Sequence, residues 1–302
     1  MPIKNLGYAC QNLTLNENAK QKDRVLTDRT CRIASFNLTD VSELIKKNSS
    51  DLIKIMTWNS KNNIKFFRVS SNIFPFCDHP TLKYRLEDLK DYQEIECNLQ
   101  SAGKIAKDNG IRLSCHPGPY TCIASPDDSV CQKSLLTLEM HYALGRMLMS
   151  DDFCINFHVG GAYKDKEETA KRFCKNFASL DGCIRKMLTI ENDDKQSMWS
   201  ITDLYQKIYQ ACGVKLVLDI HHHKFRSDES LEDAAKIAFS TWNKETPKVH
   251  YSESASEKMP QAHSDFVEKR IPELSSCVYY DVMIEAKAKD KALMAYRSKH
   301  VH

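Results

Sequence analysis

Residues 153–161 read Phe153-Cys-Ile-Asn-Phe-His158-Val-Gly-Gly161, an apolar run that ends in a histidine and a glycine turn. A helical pattern follows over residues 167–185, and the next apolar run, residues 187–191, ends in Glu191. A short apolar run, a turn and a helix in this order are typical of a parallel strand with its crossover helix. This stretch therefore predicts an α/β chain.

The same unit recurs along the sequence. Apolar runs lie around residues 5–10, 66–70, 112–115, 154–158, 187–191, 215–221, 248–251 and 279–285. Helical patterns occupy residues 40–58, 92–109, 129–149, 167–185, 201–211, 229–242 and 263–270. Eight strand-helix units over about 250 to 300 residues predict a single (β/α)8 TIM barrel. We expect one domain over residues 1–302, with a frayed tail from about residue 293.

Composition narrows the class of protein. Of the 302 residues, 42% are hydrophobic and 27% are charged, as in soluble globular proteins. No apolar run is long enough to span a membrane, and no secretory signal is evident, so we expect an intracellular protein. The 12 cysteines are scattered without a C-x-x-C pair, which indicates reduced thiols. No phosphate-binding glycine motif occurs, which argues against a nucleotide cofactor.

Six consecutive runs end in a side chain that can bind a metal. These are His116, His158, Glu191, Asp219 followed by His222, His250 and Glu285. The carboxyl ends of neighbouring barrel strands meet at one mouth, where active sites of this fold are built. Clustered imidazoles and carboxylates are costly unless cations compensate them. The ring therefore predicts two or three ions such as Mn²⁺, Mg²⁺ or Zn²⁺.

Other histidines are expected outside this ring. His141 lies on a helical pattern and is predicted to be an outer-helix residue, and His300 and His302 fall in the tail. His221 and His223 flank His222 at the end of a run. Because side chains alternate along a strand, only one register can face the mouth.

The run of motifs resembles the UV damage endonuclease family from residue 6 to about residue 292. The motifs are Leu6-Gly-Tyr8-Ala, Phe67-Arg-Val-Ser-Ser71-Asn-Ile-Phe-Pro75, Arg112-Leu-Ser-Cys-His116-Pro-Gly, Asn156-Phe-His158-Val-Gly-Gly161-Ala-Tyr-Lys-Asp-Lys166, Glu191-Asn-Asp-Asp194, Asp219-Ile-His-His222-His and Asp281-Val-Met-Ile-Glu285-Ala-Lys287. Their order and spacing agree with that family.

The resemblance implies a fold similar to endonuclease IV and the xylose-isomerase-like barrels. It implies a metal-dependent DNA repair enzyme that nicks the phosphodiester immediately 5′ of UV photoproducts, both pyrimidine dimers and 6-4 photoproducts. The metal ligands that it implies are His79, His116, His158, Glu191, Asp219, His222, His250, His263 and Glu285. The cluster is usually assigned as manganese in that family, with Mg²⁺, Co²⁺ or Zn²⁺ as alternatives. Glu191 and Glu285 are expected to bridge ions, and Lys248 matches a lysine that the family can carboxylate.

Contact with damaged double-stranded DNA is expected at the same mouth. The resemblance places Tyr8 and Tyr120 on residues that probe the lesion, and Asn12 on a nearby polar contact. Pro119 departs from the family, which has glutamine there, and a proline can act only as a wedge. Basic residues at or just after strand ends are predicted to meet phosphates: Arg68, Lys164, Lys166, Lys224, Arg226 and Lys287.

Two other functions fit the same pattern. An abasic-site endonuclease or a metal-dependent sugar isomerase would also use a ring of His, Asp and Glu at a barrel mouth. A non-catalytic protein that binds damaged DNA or stores metal could also have such a ring, but it would not cleave DNA. We expect a monomer, and the sequence does not distinguish cytoplasm, nucleus or virus particle.

Overall fold

The computed structural model describes residues 2–79, 81–82, 84–275 and 277–301. In these residues eight parallel strands close a barrel in the order β1-β10-β7-β6-β5-β4-β3-β2, and two further strands form an antiparallel hairpin, β8-β9. The strands are β1 (Ile3–Ala9), β2 (Phe66–Val69), β3 (Arg112–Cys115), β4 (Cys154–His158), β5 (Leu188–Glu191), β6 (Lys215–Asp219), β7 (Lys248–Tyr251), β8 (Ser254–Ser256), β9 (Met259–His263) and β10 (Tyr280–Ile284). The predicted (β/α)8 barrel is confirmed.

Helices cover the outside of the barrel, except for the short helix at the end of β6. They are α1 (Leu38–Lys61), α2 (Tyr92–Asp108), α3 (Asp128–Met147), α4 (Lys166–Ser179), α5 (Gly182–Met187), α6 (Ile201–Leu204), α7 (Gln210–Cys212), α8 (Ile220–His223), α9 (Leu231–Ser240) and α10 (Lys289–His300). A π-helical turn, Tyr205–Tyr209, joins α6 to α7, and 3-10 turns occur at Thr14–Asn16, Gln21–Asp23, Ile33–Ser35, Ser71–Ile73 and Leu86–Asp88. The predicted outer-helix position of His141, on α3, is confirmed.

The main apolar core lies between the strands and these helices. Helix α1 begins where Asn37 accepts a hydrogen bond from the amide of Asp40, and it buries Val41, Ile45 and Leu52 on the face toward the barrel. Along each strand, side chains that point into the barrel alternate with side chains that point out toward the helices, because the side-chain period of a strand is two. The register pairs His158 with Glu191, and the parallel strands therefore deliver their last inward side chains to the same mouth.

Two predicted elements are wrong in extent. Residues 220 and 221 were expected in a strand, but β6 ends at Asp219, whose side chain accepts a hydrogen bond from the amide of His222 and starts α8. The helix predicted over 167–185 is two helices, because Asp181 accepts a hydrogen bond from the amide of Cys183 and so caps a new helix that begins at Gly182.

The helix predicted over residues 263–270 is absent from the described structure. Residues 259–263 form β9 instead, and the carbonyls of Ser264 and Asp265 accept hydrogen bonds from the amides of Lys287 and Ala288. These carbonyls bond to the chain that follows β10, so they are not paired within a helix.

The frayed tail predicted from residue 293 is also wrong as far as residue 300. Helix α10 continues to His300 and buries Leu293 and Tyr296 against the barrel. The hydroxyl of Tyr296 accepts a hydrogen bond from the amide of Ile271 at 3.1 Å. Residue 302 lies outside the described residues.

Candidate metal and DNA-cleavage site

Glu191, the last residue of β5, is the centre of the barrel mouth. One carboxylate oxygen lies 2.7 Å from Nε2 of His116 and 2.7 Å from Nε2 of His158. The other lies 2.7 Å from Nδ1 of His250 and accepts a hydrogen bond of 2.8 Å from the side-chain amide of Asn156. Side chains of β4 and β7 and the residue directly after β3 thus converge on one buried carboxylate, as the strand-end pattern predicts.

A second carboxylate, Glu285, lies beside this centre. Its Oε1 is 3.2 Å from Nδ1 of His250 and is paired with the guanidinium of Arg68, and its Oε2 is 3.8 Å from Nδ1 of His263. His263 stands at the end of β9, so the hairpin contributes to the site.

Asp219 and His222 complete the side of the mouth formed by β6. Oδ2 of Asp219 lies 3.9 Å from Nδ1 of His250 and 3.9 Å from Nδ1 of His222. Helix α8 turns the backbone immediately after Asp219 and brings His222 to the mouth. The ring of His221 lies against that of His263, with ring centres 5.5 Å apart, and His223 instead faces Glu229. His221 contacts the carbonyl of Gln261.

The cluster strongly shifts the acidity of its members. Burial raises the pKa of Glu191, but the imidazoles of His158, His116 and His250 outweigh burial and hold that pKa well below its usual range. Burial lowers the pKa of His158, while Glu191 and Asp193 outweigh burial and leave it well above its usual value. For His222 the carboxylates Asp219 and Glu191 likewise outweigh burial and raise the pKa to about 9. The raised pKa values of His158 and His222 reflect an excess of negative charge around them, which bound cations would also neutralise.

The donor set fits metal ions. Ligand atoms of His116, His158 and Glu191, and those of Glu191, Asp219 and His250, lie within 4.8 Å of one another. Oδ2 of Asp219 is buried and has no hydrogen-bond partner among the described residues. Mixed imidazole and carboxylate donors suit divalent first-row ions. The buried cluster could therefore hold metal.

One predicted ligand is not part of this cluster. Among the contacts of the described residues, none joins His79 to the other eight predicted ligands; its Nδ1 instead accepts hydrogen bonds from the amides of Thr81 and Leu82. His79 lies on the loop after β2, where it also packs against the ring of Phe76.

Lys248 lies one layer below the mouth, two residues before His250 on β7. Its side chain is buried with 1% exposure, and Nζ has no hydrogen-bond partner among the described residues. Nζ lies 5.4 Å from the ring centre of Phe66. Burial lowers the pKa of Lys248. The role expected for Lys248 stays a prediction.

The lesion-probing roles expected for Tyr8 and Asn12 do not agree with their positions. Both side chains are 0% exposed. Tyr8 points out of the barrel toward α1, where its hydroxyl donates to Asn59 at 2.7 Å and accepts from Asn12 at 2.9 Å. On β1 it is Gly7 that faces inward, so alternation turns Tyr8 to the helix layer. Tyr120 and Pro119, in contrast, are exposed on the loop after β3, Tyr120 by 86%.

The basic residues divide into two groups. Lys164, Lys224 and Lys287 are exposed. Lys166 and Arg226, which were expected to contact phosphates, instead form ion pairs with the carboxylate of Asp203, at 2.6 and 2.9 Å. Arg68 is also engaged, with Glu285 inside the mouth.

Two residues of the site were not predicted. Asn156 donates to Glu191, and Oδ1 of Asp193 lies 3.0 Å from Nδ1 of His158. Asn156 could have been found from strand alternation, since it lies two residues before His158 on the same face. Asp193 follows the end of β5 by two residues, where the sequence alone does not fix its direction.

Comparison with known proteins identifies the family. The family model "UV-endonuclease UvdE" matches residues 4–300. The chain belongs to this family. It is 37% identical over 310 aligned positions to a UV-damage endonuclease of Schizosaccharomyces pombe and 33% identical over 302 to a UV DNA damage endonuclease of Bacillus cereus. These alignments cover 95% and 96% of this chain; the chain spans 49% of the length of the yeast protein and 92% of the Bacillus one.

Solved structures give the same family and fold. The crystal structure of SacUVDE superposes with a TM-score of 0.84 at 29% identity and covers 98% of both chains. Endonuclease IV from Thermus thermophilus has a TM-score of 0.57 at 13% identity over 82% of this chain and 93% of its own, a likeness of fold alone. The endonuclease IV-like barrel that was predicted is therefore confirmed. No helix among the described residues is long and apolar enough to cross a membrane.

Proposed function

We propose that this member of the UvdE family is a metal-dependent endonuclease that nicks DNA immediately 5′ of UV photoproducts, both pyrimidine dimers and 6-4 photoproducts. The observation that carries the proposal is the contact of Glu191 with three imidazoles at the open mouth of the barrel. The relatives named above as UV-damage endonucleases support the choice of substrate. The proposed partner is damaged double-stranded DNA, bound by a monomer inside the cell.

The residues that would hold the ions are the eight clustered at the mouth: His116, His158, Glu191, Asp219, His222, His250, His263 and Glu285. Mn²⁺ is the proposed metal, as two or three ions. When bound, such ions lower the pKa of water and neutralise charge on phosphoryl oxygens.

The protein's own groups orient this cluster. Asn156 fixes one oxygen of Glu191 by a 2.8 Å hydrogen bond, and Thr189 in turn donates to Asn156 at 2.9 Å. Asp193 holds the far side of the His158 ring. Such supporting contacts set the direction of each ligand and its basicity. Arg68, paired with Glu285, places a positive charge among the carboxylates of the mouth.

The same fold is used by enzymes of other classes. D-psicose 3-epimerase from Clostridium cellulolyticum matches the barrel with a TM-score of 0.55 at 15% identity, which shows the fold alone. The barrel by itself is therefore compatible with a sugar isomerase, and the family match separates the nuclease from that alternative.

Incision of a defined oligonucleotide tests the proposal. A labelled duplex with one thymine dimer is incubated with the chelated protein and then with added Mn²⁺. We expect one nick 5′ of the dimer that depends on the metal. Glu191→Gln should reduce the rate by about 10²- to 10³-fold or more, the usual scale for removing one group that organises charge at an active site.

Glu229→Gln is the matched control. Glu229 follows α8, and its carboxylate is buried like that of Glu191 but has no contact with the mouth among the described residues. This variant should cut at the parental rate. Damaged-DNA binding should be retained by Glu191→Gln. Parental cutting by Glu191→Gln, or cutting that ignores chelation, would contradict the proposal.

A further inference from the structure

The hairpin β8-β9 stands at the barrel rim between two strands that carry cluster residues. It follows β7, which holds His250, and precedes β10, after which Glu285 lies. Its foot belongs to the site, because His263 pairs with Ser254 across the hairpin and lies 3.8 Å from Glu285. The hairpin thus connects the cluster to the surface outside the barrel.

Side chains from neighbouring loops hold this foot in place. Nζ of Lys224 lies 3.2 Å from the hydroxyl of Ser254, and the side-chain amide of Gln261 donates to the carbonyl of Asp194 at 3.1 Å. The ring of His221 lies 3.2 Å from the carbonyl of Gln261. These contacts tie the hairpin, through Ser254 and Gln261, to the loops after β5 and β6.

The tip presents an apolar side chain to solvent. Met259 is 57% exposed and stands between exposed Lys258 and Pro260. A single exposed apolar residue is common on protein surfaces and is not by itself informative. What distinguishes Met259 is the place of its hairpin around the mouth.

The order of strands sets the hairpin opposite the loop that carries Tyr120. In the closed ring, β7 and β3 are separated by three strands on each side. The loop after β3 exposes Pro119 and Tyr120, and the hairpin follows β7. A duplex lying across the mouth would therefore meet Tyr120 from one side and the hairpin tip from the other.

We propose that Met259 is a wedge that enters the base stack from the side opposite Tyr120 when the protein holds a UV lesion; this inference rests on the proposed function. Apolar side chains, methionine among them, insert between base steps of the minor groove and kink the duplex. A UV lesion stacks poorly, which lowers the cost of opening the stack there. Lys258, next to Met259, meets the adjacent phosphate.

The test compares three single substitutions. Met259→Ala removes the wedge, Met259→Leu keeps an apolar side chain of similar size, and Met294→Ala makes the same truncation at an exposed position on α10. The probe is a duplex with one thymine dimer and 2-aminopurine in the opposite strand, whose fluorescence reports unstacking. We expect Met259→Ala to bind this duplex about tenfold more weakly, the order of one lost base contact, with a smaller fluorescence rise. Met259→Leu and Met294→Ala should match the parent.

Three further outcomes are distinguishable. Parental binding and fluorescence for Met259→Ala, with a parent that still nicks the dimer, overturn the wedge and leave the proposed function intact. Loss of bound Mn²⁺ from Met259→Ala shows that the hairpin acts through His263 and also overturns the wedge. A parent protein that neither binds nor nicks the damaged duplex overturns the proposed function and the wedge with it.

Discussion

At the scale of single residues, His141 makes unfolding depend on pH. Its ring is buried on α3, and Nδ1 donates to the carbonyl of Thr137 at 2.7 Å. Burial lowers the pKa of His141 below its usual 6.5, and the hydrogen bond to Thr137 and the charge of Asp78 only partly oppose this. In the unfolded chain His141 therefore binds a proton more tightly than in the folded chain. As a result, the free energy of unfolding decreases as the pH falls below about 6.5.

We predict that His141→Asn removes this loss. The difference in free energy of unfolding between variant and parent should shift in favour of the variant by up to about 1.4 kcal/mol per pH unit below pH 6.5. Urea denaturation of chelated protein at several pH values between 5 and 8 measures it. His300→Asn, at the end of α10, controls for loss of one imidazole. An equal slope for parent and His141→Asn would contradict the prediction.

The roles of residues were predictable where an inward-facing side chain lies at the end of an apolar strand. His158, Glu191 and His250 follow directly from apolar runs that end in a ligand. Tyr8 was assigned by resemblance, yet it is one residue out of phase with the inward-facing Gly7 and packs against Trp58 on α1. The direction of the Asp193 side chain depends on the conformation of a loop, which hydrophobic periodicity does not predict.

At the scale of elements, strong periodicity predicted the eight barrel strands within two residues at each end, and it missed the hairpin strands β8 and β9. The differences have local causes that apolar patterns do not record. Asp219 ends β6 early by capping α8, and β9 reads as polar because the hairpin is exposed on both faces. Strand β9 is formed by pairing with β8, and the sequence of β9 alone does not predict that pairing.

Helix α10 offers an element-scale prediction. Tyr296 is buried, and its hydroxyl accepts from the amide of Ile271, which lies just after the hairpin segment. Tyr296→Ala removes a large packed ring and leaves that amide unpaired, so we expect a loss of about 3 to 5 kcal/mol in the free energy of unfolding. Tyr279→Ala, at an exposed ring next to β10, should change it by about 0.5 kcal/mol or less. Chemical denaturation compares the two, and equal losses would show that α10 is not docked.

At the scale of the whole molecule, charge is nearly balanced. A net charge of +3 cannot by itself attract DNA strongly, so binding must come from where the cations lie. Ion pairs already hold Lys166 and Arg226 to Asp203. The exposed lysines on loops after strands are therefore the side chains that we expect to bind phosphates: Lys164, Lys224 and Lys287.

Two triple variants with the same change in net charge separate local from overall electrostatics. The rim variant replaces Lys164, Lys224 and Lys287 by Ala. The control variant replaces three exposed lysines on the outer helices α2, α4 and α9 by Ala: Lys104, Lys171 and Lys236. If each rim lysine neutralises one phosphate, the slope of log affinity against log salt should fall by about three in the rim variant, for damaged and undamaged duplex alike. The control should keep the parental slope, because its charges lie on the helix layer away from the mouth. Equal slopes for both variants, measured by fluorescence anisotropy over a salt series, would mean that DNA is not bound across this face of the barrel.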